Sequence, residues 1–294
     1  IARRLGAEDS IITFLNNIGG VYKSLGQYNK AIKNHQQALT IARRPGSKDK
    51  SASTLLYIGA VYHAWGQYDK AIENLQQGLT LLRKQGIENL TIARFLNNIS
   101  KVYYAWGQYD KAIENYQQVL TISRRLGKED GVAAGLHNIG GVYRAWGQYD
   151  KAIKNFQQAL TIARRLGAED SIATFLSNIG SIYYEWGQYD KAIENFQQAL
   201  TIHRRLGKED GVAASLQNIG GVYSAWGQYD KAIENYQQAL VINRKLGKED
   251  GIATGFNYIR EQGGIATGLN NIGNVYHLWG QYDKAIENYQ QALA

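Results

Sequence analysis

The tripeptide Gly-Gln-Tyr recurs seven times along the chain, ending at Tyr28, Tyr68, Tyr109, Tyr149, Tyr189, Tyr229 and Tyr282. The intervals are 40, 41, 40, 40, 40 and 53 residues, so near-copies of one unit fill the whole length. No other feature constrains the fold as much. A unit of this size cannot bury both faces of its own elements, and like units satisfy one another by stacking. By length alone, 294 residues suggest one large domain or two ordinary ones. The period predicts instead a single array over 1–294, with repeats at about 9–46, 47–86, 87–127, 128–167, 168–207, 208–247 and 264–294.

The fourth unit shows what each copy encodes. In GVAAGLHNIGGVYRAWGQYDKAIKNFQQALTIARRLG, residues 131–167, the first half sets Leu136, Ile139, Gly140, Tyr143 and Trp146 at helical intervals. The second half sets Tyr149, Ala152, Ile153, Phe156, Ala159, Leu160 and Ile162 on another helical stripe. Gly147 stands where a left-handed helix end is cheap for glycine. Glu129–Asp130 opens the first helix and Arg164–Arg165 closes the second, each where the helix dipole favours its charge. Each unit is therefore a helical hairpin, and one proline in the chain agrees with that.

Leu136, Gly140, Tyr143, Gly147, Tyr149, Ala152, Phe156 and Ala159 reproduce the spacing of the tetratricopeptide repeat, and the chain resembles that family along its entire length. The departures are few: Ser100 for glycine, Gly78 and Val119 for alanine, and His35 and Leu75 for the second-helix aromatic. The family's usual unit has about 34 residues. The longer unit here is similar to kinesin light chains, to spindle-orientation adaptors, and above all to bacterial arrays, cyanobacterial ones especially. The resemblance implies an all-α fold, an alpha-alpha solenoid coiled as a right-handed superhelix of seven hairpins. It also implies a non-enzymatic protein-binding scaffold, part of a larger multidomain protein. The lack of methionine, even at residue 1, is expected of a piece of a longer chain.

Composition and motifs argue against other functions. No apolar run approaches the roughly 18 residues of a membrane span and no secretory segment is present, so a cytoplasmic protein without a membrane partner is expected. The absence of cysteine excludes disulfides and thiolate metal sites. The histidines, His35, His63, His137, His203 and His277, show no ligand spacing, so neither a metal nor a cofactor is expected. Gly127–Lys128 lacks the rest of a phosphate loop, and Gly140–Gly141 lies mid-helix. Glu129–Asp130 and its copies are expected to cap helices. No catalytic residue is expected.

The tryptophans, Trp65, Trp106, Trp146, Trp186, Trp226 and Trp279, all precede the Gly-Gln-Tyr motif, where the first unit has Leu25. Their fixed phase favours core packing between hairpins over a row of base-stacking platforms. The net charge is +8, and basic pairs recur at 3–4, 43–44, 83–84, 124–125, 164–165, 204–205 and 244–245. Stacking aligns these as a basic edge that attracts nucleic acid or other anions. An acidic stripe follows close behind (Glu8–Asp9, Glu129–Asp130, Glu169–Asp170, Glu209–Asp210 and Glu249–Asp250), so nucleic acid is disfavoured.

In the family, first helices line a concave groove whose variable positions meet ligands. The resemblance maps these in the fourth unit to Ala134, His137, Asn138, Gly141, Arg144 and Ala145. One position repeats asparagine, at Asn17, Asn98, Asn138, Asn178, Asn218 and Asn271, broken at Tyr57. Asparagine costs roughly half a kcal/mol against alanine inside a helix. Its amide both donates and accepts, and the column resembles the ladder by which longer-unit relatives hold peptide main chain. Bonding to the neighbouring repeat, or unselected duplication, explains the column equally well. Around it Lys23, Arg94, Lys101 and Arg144 lie in the first four units and Glu185 later, while Tyr57, Tyr104 and Tyr184 add aromatic surface. The partner expected is a protein or peptide with an acidic stretch facing the first half. The carboxylate clamp of chaperone adaptors is not reproduced, because Asn16, Gly20 and Tyr57 replace its key residues.

Between the sixth and seventh units, GIATGFNYIREQG at 251–263 is followed by a near-copy at 264–276. This is a partial duplication of a first helix, and its first copy is expected to form a short extra helix, with a break at Gly263–Gly264. Residues 1–8 match the end of a second helix, so they are expected to be the tail of an upstream repeat. Apolar end faces make end-to-end self-association, as a structural spacer, the alternative to peptide binding.

Overall fold

The computed structural model describes residues 2–44, 48–84, 90–247 and 264–293. Among these are fourteen α-helices and no strand. They alternate as first and second helices of hairpins: α1 (Ala2–Ser24) and α2 (Tyr28–Ala42), α3 (Lys48–Ala64) and α4 (Tyr68–Lys84), α5 (Leu90–Ala105) and α6 (Tyr109–Arg125), α7 (Glu129–Ala145) and α8 (Tyr149–Arg165). The series continues with α9 (Glu169–Glu185) and α10 (Tyr189–Arg205), α11 (Glu209–Ala225) and α12 (Tyr229–Lys245), α13 (Ile265–Leu278) and α14 (Tyr282–Leu293). The chain forms two compact units, Ile1–Gly147 and Gln148–Ala294, each a stack of helices in which every one packs on the next. The expected extra helix at 251–263 lies outside the described residues. Helix α13 starts after an extended Gly264.

The hairpin turn is written in the Gly-Gln-Tyr motif. Gly66 adopts φ 76°, which lets its N–H donate to His63 O and the Gln67 N–H donate to Tyr62 O at 2.9 Å. Those bonds satisfy carbonyls that the end of α3 would leave bare, and they reverse the chain into α4. The turn between repeats uses a second glycine in the same way, Gly167 at φ 64°. The sequence around Gly167, IARRLGAEDSI, also opens the chain, where α1 runs on from Ala2 without a turn.

Packing within the first unit centres on Ala71, Ile72, Leu75 and Leu79 of α4 against Phe95, Leu96, Ile99 and Val102 of α5. The departures from the family pattern fall at compensating places. A Cβ on Gly78 would meet Phe95 of the next repeat at 2.4 Å, and one on Gly59 would meet Leu75 Cγ at 2.7 Å. One repeat later the sizes are exchanged, with Val119 in the place of Gly78 and Gly135 in the place of Phe95. Ser100 is fully buried and turns its hydroxyl back to donate to Leu96 O.

Two expectations need correction. The tryptophans do pack between hairpins, but at an edge seam and not in the core: Trp186 is 41% exposed. Each lies on the second-helix tyrosine of the preceding repeat, as in Tyr28–Trp65 (5.8 Å), Tyr109–Trp146 (5.9 Å) and Tyr229–Trp279 (5.9 Å). Lysines such as Lys70 cover the neighbouring first-helix tyrosine, 5.6 Å from the Tyr62 ring centre. The carboxylate pairs, in turn, do not cap. The residues before α7, α9 and α11 are Lys128, Ala168 and Lys208, none with a side-chain cap bond. Glu169, Asp170 and Glu209 sit in the first turn of their helices, while Glu8 and Asp9 lie about two turns into α1, and all five form ion pairs with basic residues: Glu8 with Arg44, Asp9 with Lys50, Glu169 with Arg205, Asp170 with Lys208 and Glu209 with Lys245.

Candidate binding groove

First helices of successive repeats are neighbours. In the first unit α3 packs against α1 on one side and α5 on the other, and in the second α9 packs against α11. Positions in register therefore form columns crossing the stack. The asparagine column comprises Asn17, Asn98 and Asn138 in the first unit, with Tyr57 interrupting it, and Asn178, Asn218 and Asn271 in the second.

The column divides chemically. Asn98 Nδ2 donates to Arg94 O of its own helix at 2.8 Å, and Asn138 Nδ2 donates to Asn97 Oδ1 of the preceding repeat at 3.3 Å. Asn178 also has an internal partner. Among the described residues, the side chains of Asn17, Asn218 and Asn271 make no hydrogen bond. Part of the ladder thus holds the scaffold together, and part presents amides outward.

Charge separates the two units more sharply. Along residues 10–24, 51–64, 90–105 and 131–145, the first helices of the first unit carry Lys23, Arg94, Lys101 and Arg144 and no Asp or Glu. The matching stretches of the second unit, 171–185, 211–225 and 265–278, carry Glu185 and no Lys or Arg. Arg94 and Lys101 are exposed, while Lys23 and Arg144 are partly covered. Tyr57 (44% exposed), Tyr104 (43%) and Tyr184 (41%) supply partly exposed aromatic rings.

Two histidines acquire meaning only in three dimensions. His63 occupies in α3 the register position that Lys23 holds in α1. Burial depresses its pKa, and the positive charges of Lys23 and Lys101 lower it further. His35 is fully buried, and burial with a smaller effect of Lys23 brings its pKa down to about 4. With its proton on Nδ1, the neutral ring donates to Asn16 Oδ1 at 2.8 Å. Asn16 Nδ2 then donates to Thr54 Oγ1 at 3.1 Å, and Tyr57 stacks on the imidazole at 5.7 Å. Sequence spacing misses this network because its members come from three helices. The signal that was available for His63 is its sharing of a column with Lys23 and Arg144. In the second unit, Gln217 is buried with neither amide atom hydrogen-bonded among the described residues.

Tetratricopeptide-repeat family profiles match residues 10–84, 91–165, 171–245 and 266–294. The chain belongs to the tetratricopeptide-repeat family. Curated protein sequences give no significant match. Among solved structures, this tetratricopeptide array is similar to BtubC (BKLC) from P. vanneervenii, with a TM-score of 0.63 and 22% identity over 80% of this chain and 98% of that one. It is also similar to a putative kinesin light chain of nearly identical repeats from Podosopora anserina (TM-score 0.58, 22% identity, 67% of this chain and 96% of that one). A third is a Rap protein complexed with competence and sporulation factor (TM-score 0.57, 17% identity, 96% and 74%). At these identities the likeness is one of fold.

Among the described residues, no group of three or more His, Cys, Asp or Glu is placed to hold a metal ion. No described helix is long and apolar enough to cross a membrane.

Proposed function

We propose that this tetratricopeptide array is a non-enzymatic scaffold that holds an extended partner segment across its first helices, with acidic residues of that segment over the first unit. The observation that carries the reading is the separation of charge: four cations and no carboxylate on the groove stretches of one unit, against one carboxylate, Glu185, and no Lys or Arg on those of the other. Helices pack roughly 8–10 Å apart, and an extended peptide rises about 3.3 Å per residue. A bound segment therefore meets successive first helices every three residues or so. Within the first unit the exposed amide of Asn17 suits its main chain, and Tyr57 and Tyr104 its side chains. The Rap protein complexed with competence and sporulation factor is a precedent for a partner held by this fold. Selection of a random peptide library on the purified chain tests the reading. Enrichment of Asp and Glu, lost in Arg94→Glu/Lys101→Glu and weakened in Asn98→Ala/Asn138→Ala, supports it. Peptides without acidic enrichment, or insensitive to both variants, sink it.

The basic edge is a poorer candidate for nucleic acid, since Glu169, Asp170 and Glu209 already meet Arg205, Lys208 and Lys245 there. Self-association has a specific observation in its favour. Helix α14 repeats the sequence of α12 from Tyr229 to Leu240, where Ile233 and Leu240 are buried, yet its own Ile286 and Leu293 are 54% and 88% exposed. Helix α1 likewise exposes Ile11, Phe14, Ile18 and Val21 as one helical stripe. Sedimentation velocity across a concentration series decides this second reading. A monomer throughout, with Ile286→Lys indistinguishable from the parent, removes it.

A further inference from the structure

We infer that Lys23, His63 and Lys101 together form one anion site, built to take a phosphate monoester carried on a side chain of the bound segment. The inference rests on the groove reading and sharpens it, because it names the group recognised at one place along the groove.

The three residues come from three consecutive first helices, α1, α3 and α5, with α3 packed against both of the others. Lys23 and His63 share a register position one repeat apart, and Lys101 lies one turn before the corresponding position of α5, held by Tyr104. At a helix spacing of roughly 8–10 Å, two flexible four-carbon stems reach the space over a central imidazole from opposite sides. His63 is partly buried, and its ring lies against Tyr68 of α4 at 6.2 Å. Lys101 is exposed and Lys23 partly so.

The two charges that act on His63 are both positive, Lys23 on α1 and Lys101 on α5, and its ring lies against Tyr68 of α4. The groove stretches of the unit contain no carboxylate to answer the charge. Burial and then the two lysines hold His63 toward its neutral form, and an anion seated between the lysines would offset their share and ease protonation of the ring. A carboxylate supplies one negative charge. A phosphate monoester supplies about 1.5 to 2 at neutral pH with three acceptor oxygens. Two ammonium groups and one imidazole N–H match that number of acceptors.

The test uses the full chain and three probes, an acetylated Ala-Ala-Ser-Ala-Ala amide with its serine phosphorylated, unmodified, or replaced by glutamate. His63 ring signals, assigned with His63→Gln, are followed by NMR at constant ionic strength. The expected result is saturable displacement of the His63 signals by the phosphopeptide, with an upward shift of its titration midpoint. Affinity should fall about tenfold for the glutamate peptide and for each of Lys23→Gln and Lys101→Gln, the size of losing one well-placed charge. Lys245→Gln, at the edge of the other unit, should change nothing. Equal affinity for the phosphorylated and glutamate peptides, or binding that survives both lysine variants, overturns the site. If library-selected acidic peptides still bind under those conditions, the groove reading stands and only the phosphate site falls. If they too fail, both fall.

Discussion

Gly78 and Phe95, from adjacent repeats, share one volume: a Cβ added to Gly78 would stand 2.4 Å from Phe95 Cε1. Glycine inside a helix costs about 1 kcal/mol relative to alanine, so its presence in α4 reflects the neighbour and not the helix. Gly78→Ala is expected to destabilise by up to about 2 kcal/mol, since overpacking of about 1–3 kcal/mol outweighs a propensity gain of about 1 kcal/mol. In a Phe95→Ala background the same substitution should stabilise by about 1 kcal/mol, because the clash is gone and only the propensity remains. Urea midpoints of the four proteins check the reversal of sign. A Gly78→Ala effect of the same sign in both backgrounds would separate the two residues.

How much of this was legible beforehand depended on range. The hairpins, their glycine turns and the apolar stripes follow from intervals of three and four residues, which a sequence displays directly. Gly78 and Val119 looked like blemishes in the pattern because their reasons, Phe95 and Gly135, lie in the next repeat. Periodicity fixed the phase of the tryptophans around the helix but not their depth, so a seam residue such as Trp186 looked like core. Glu169 stands at a helix start, where a cap belongs, while its partner Arg205 lies 36 positions further along the chain. The asparagine column was visible, but not that Asn98 turns to its own helix while Asn17 makes no bond among the described residues.

His35 predicts a pH dependence. Its folded pKa, about 4, lies below the ordinary 6.5, so the folded chain prefers the neutral ring. The stability this contributes is full above pH 6.5 and is lost as pH falls from 6.5 through 4. The loss is expected to be on the order of 2 kcal/mol, close to what a shift of this size implies once solvent relaxation is allowed for. His35→Phe, the side chain of Phe156 at the same register, removes this ionisation and should make the fall between pH 4 and 6.5 shallower, with the lowered pKa values of His63, His137 and His203 supplying what remains. Denaturation midpoints across that range measure it. An equally steep fall in the variant would place the acid sensitivity elsewhere.

The aromatic seam should act as a set of nearly equivalent joints. Trp186 lies 6.1 Å from Tyr149, and its counterparts repeat the contact with small variation. Replacing Trp186 by leucine, the residue at Leu25, is expected to cost about 1 kcal/mol, the scale of a lost aromatic pair. Because the indoles stay partly exposed, acrylamide should quench the tryptophan fluorescence of the folded chain substantially and without a protected fraction. A large unquenched fraction would mean buried rings.

Charge on the first helices predicts a gain of function as well as a loss. If Lys23, Arg94, Lys101 and Arg144 set the preference for acidic segments, the second unit lacks it only because it has no such cations on its groove stretches and carries Glu185. Glu185→Lys with Ser224→Lys puts positive charge at two consecutive repeats, Ser224 being the register equivalent of Arg144. The double variant is expected to bind a longer acidic peptide about tenfold more tightly than the parent at low salt, with the advantage shrinking as ionic strength rises. Titration of a fluorescent oligo-glutamate of twelve and then twenty residues measures this. An oligo-lysine of the same lengths, carrying the opposite charge, should show no gain. No gain for either oligo-glutamate would mean that charge on the first helices does not set the preference for acidic segments.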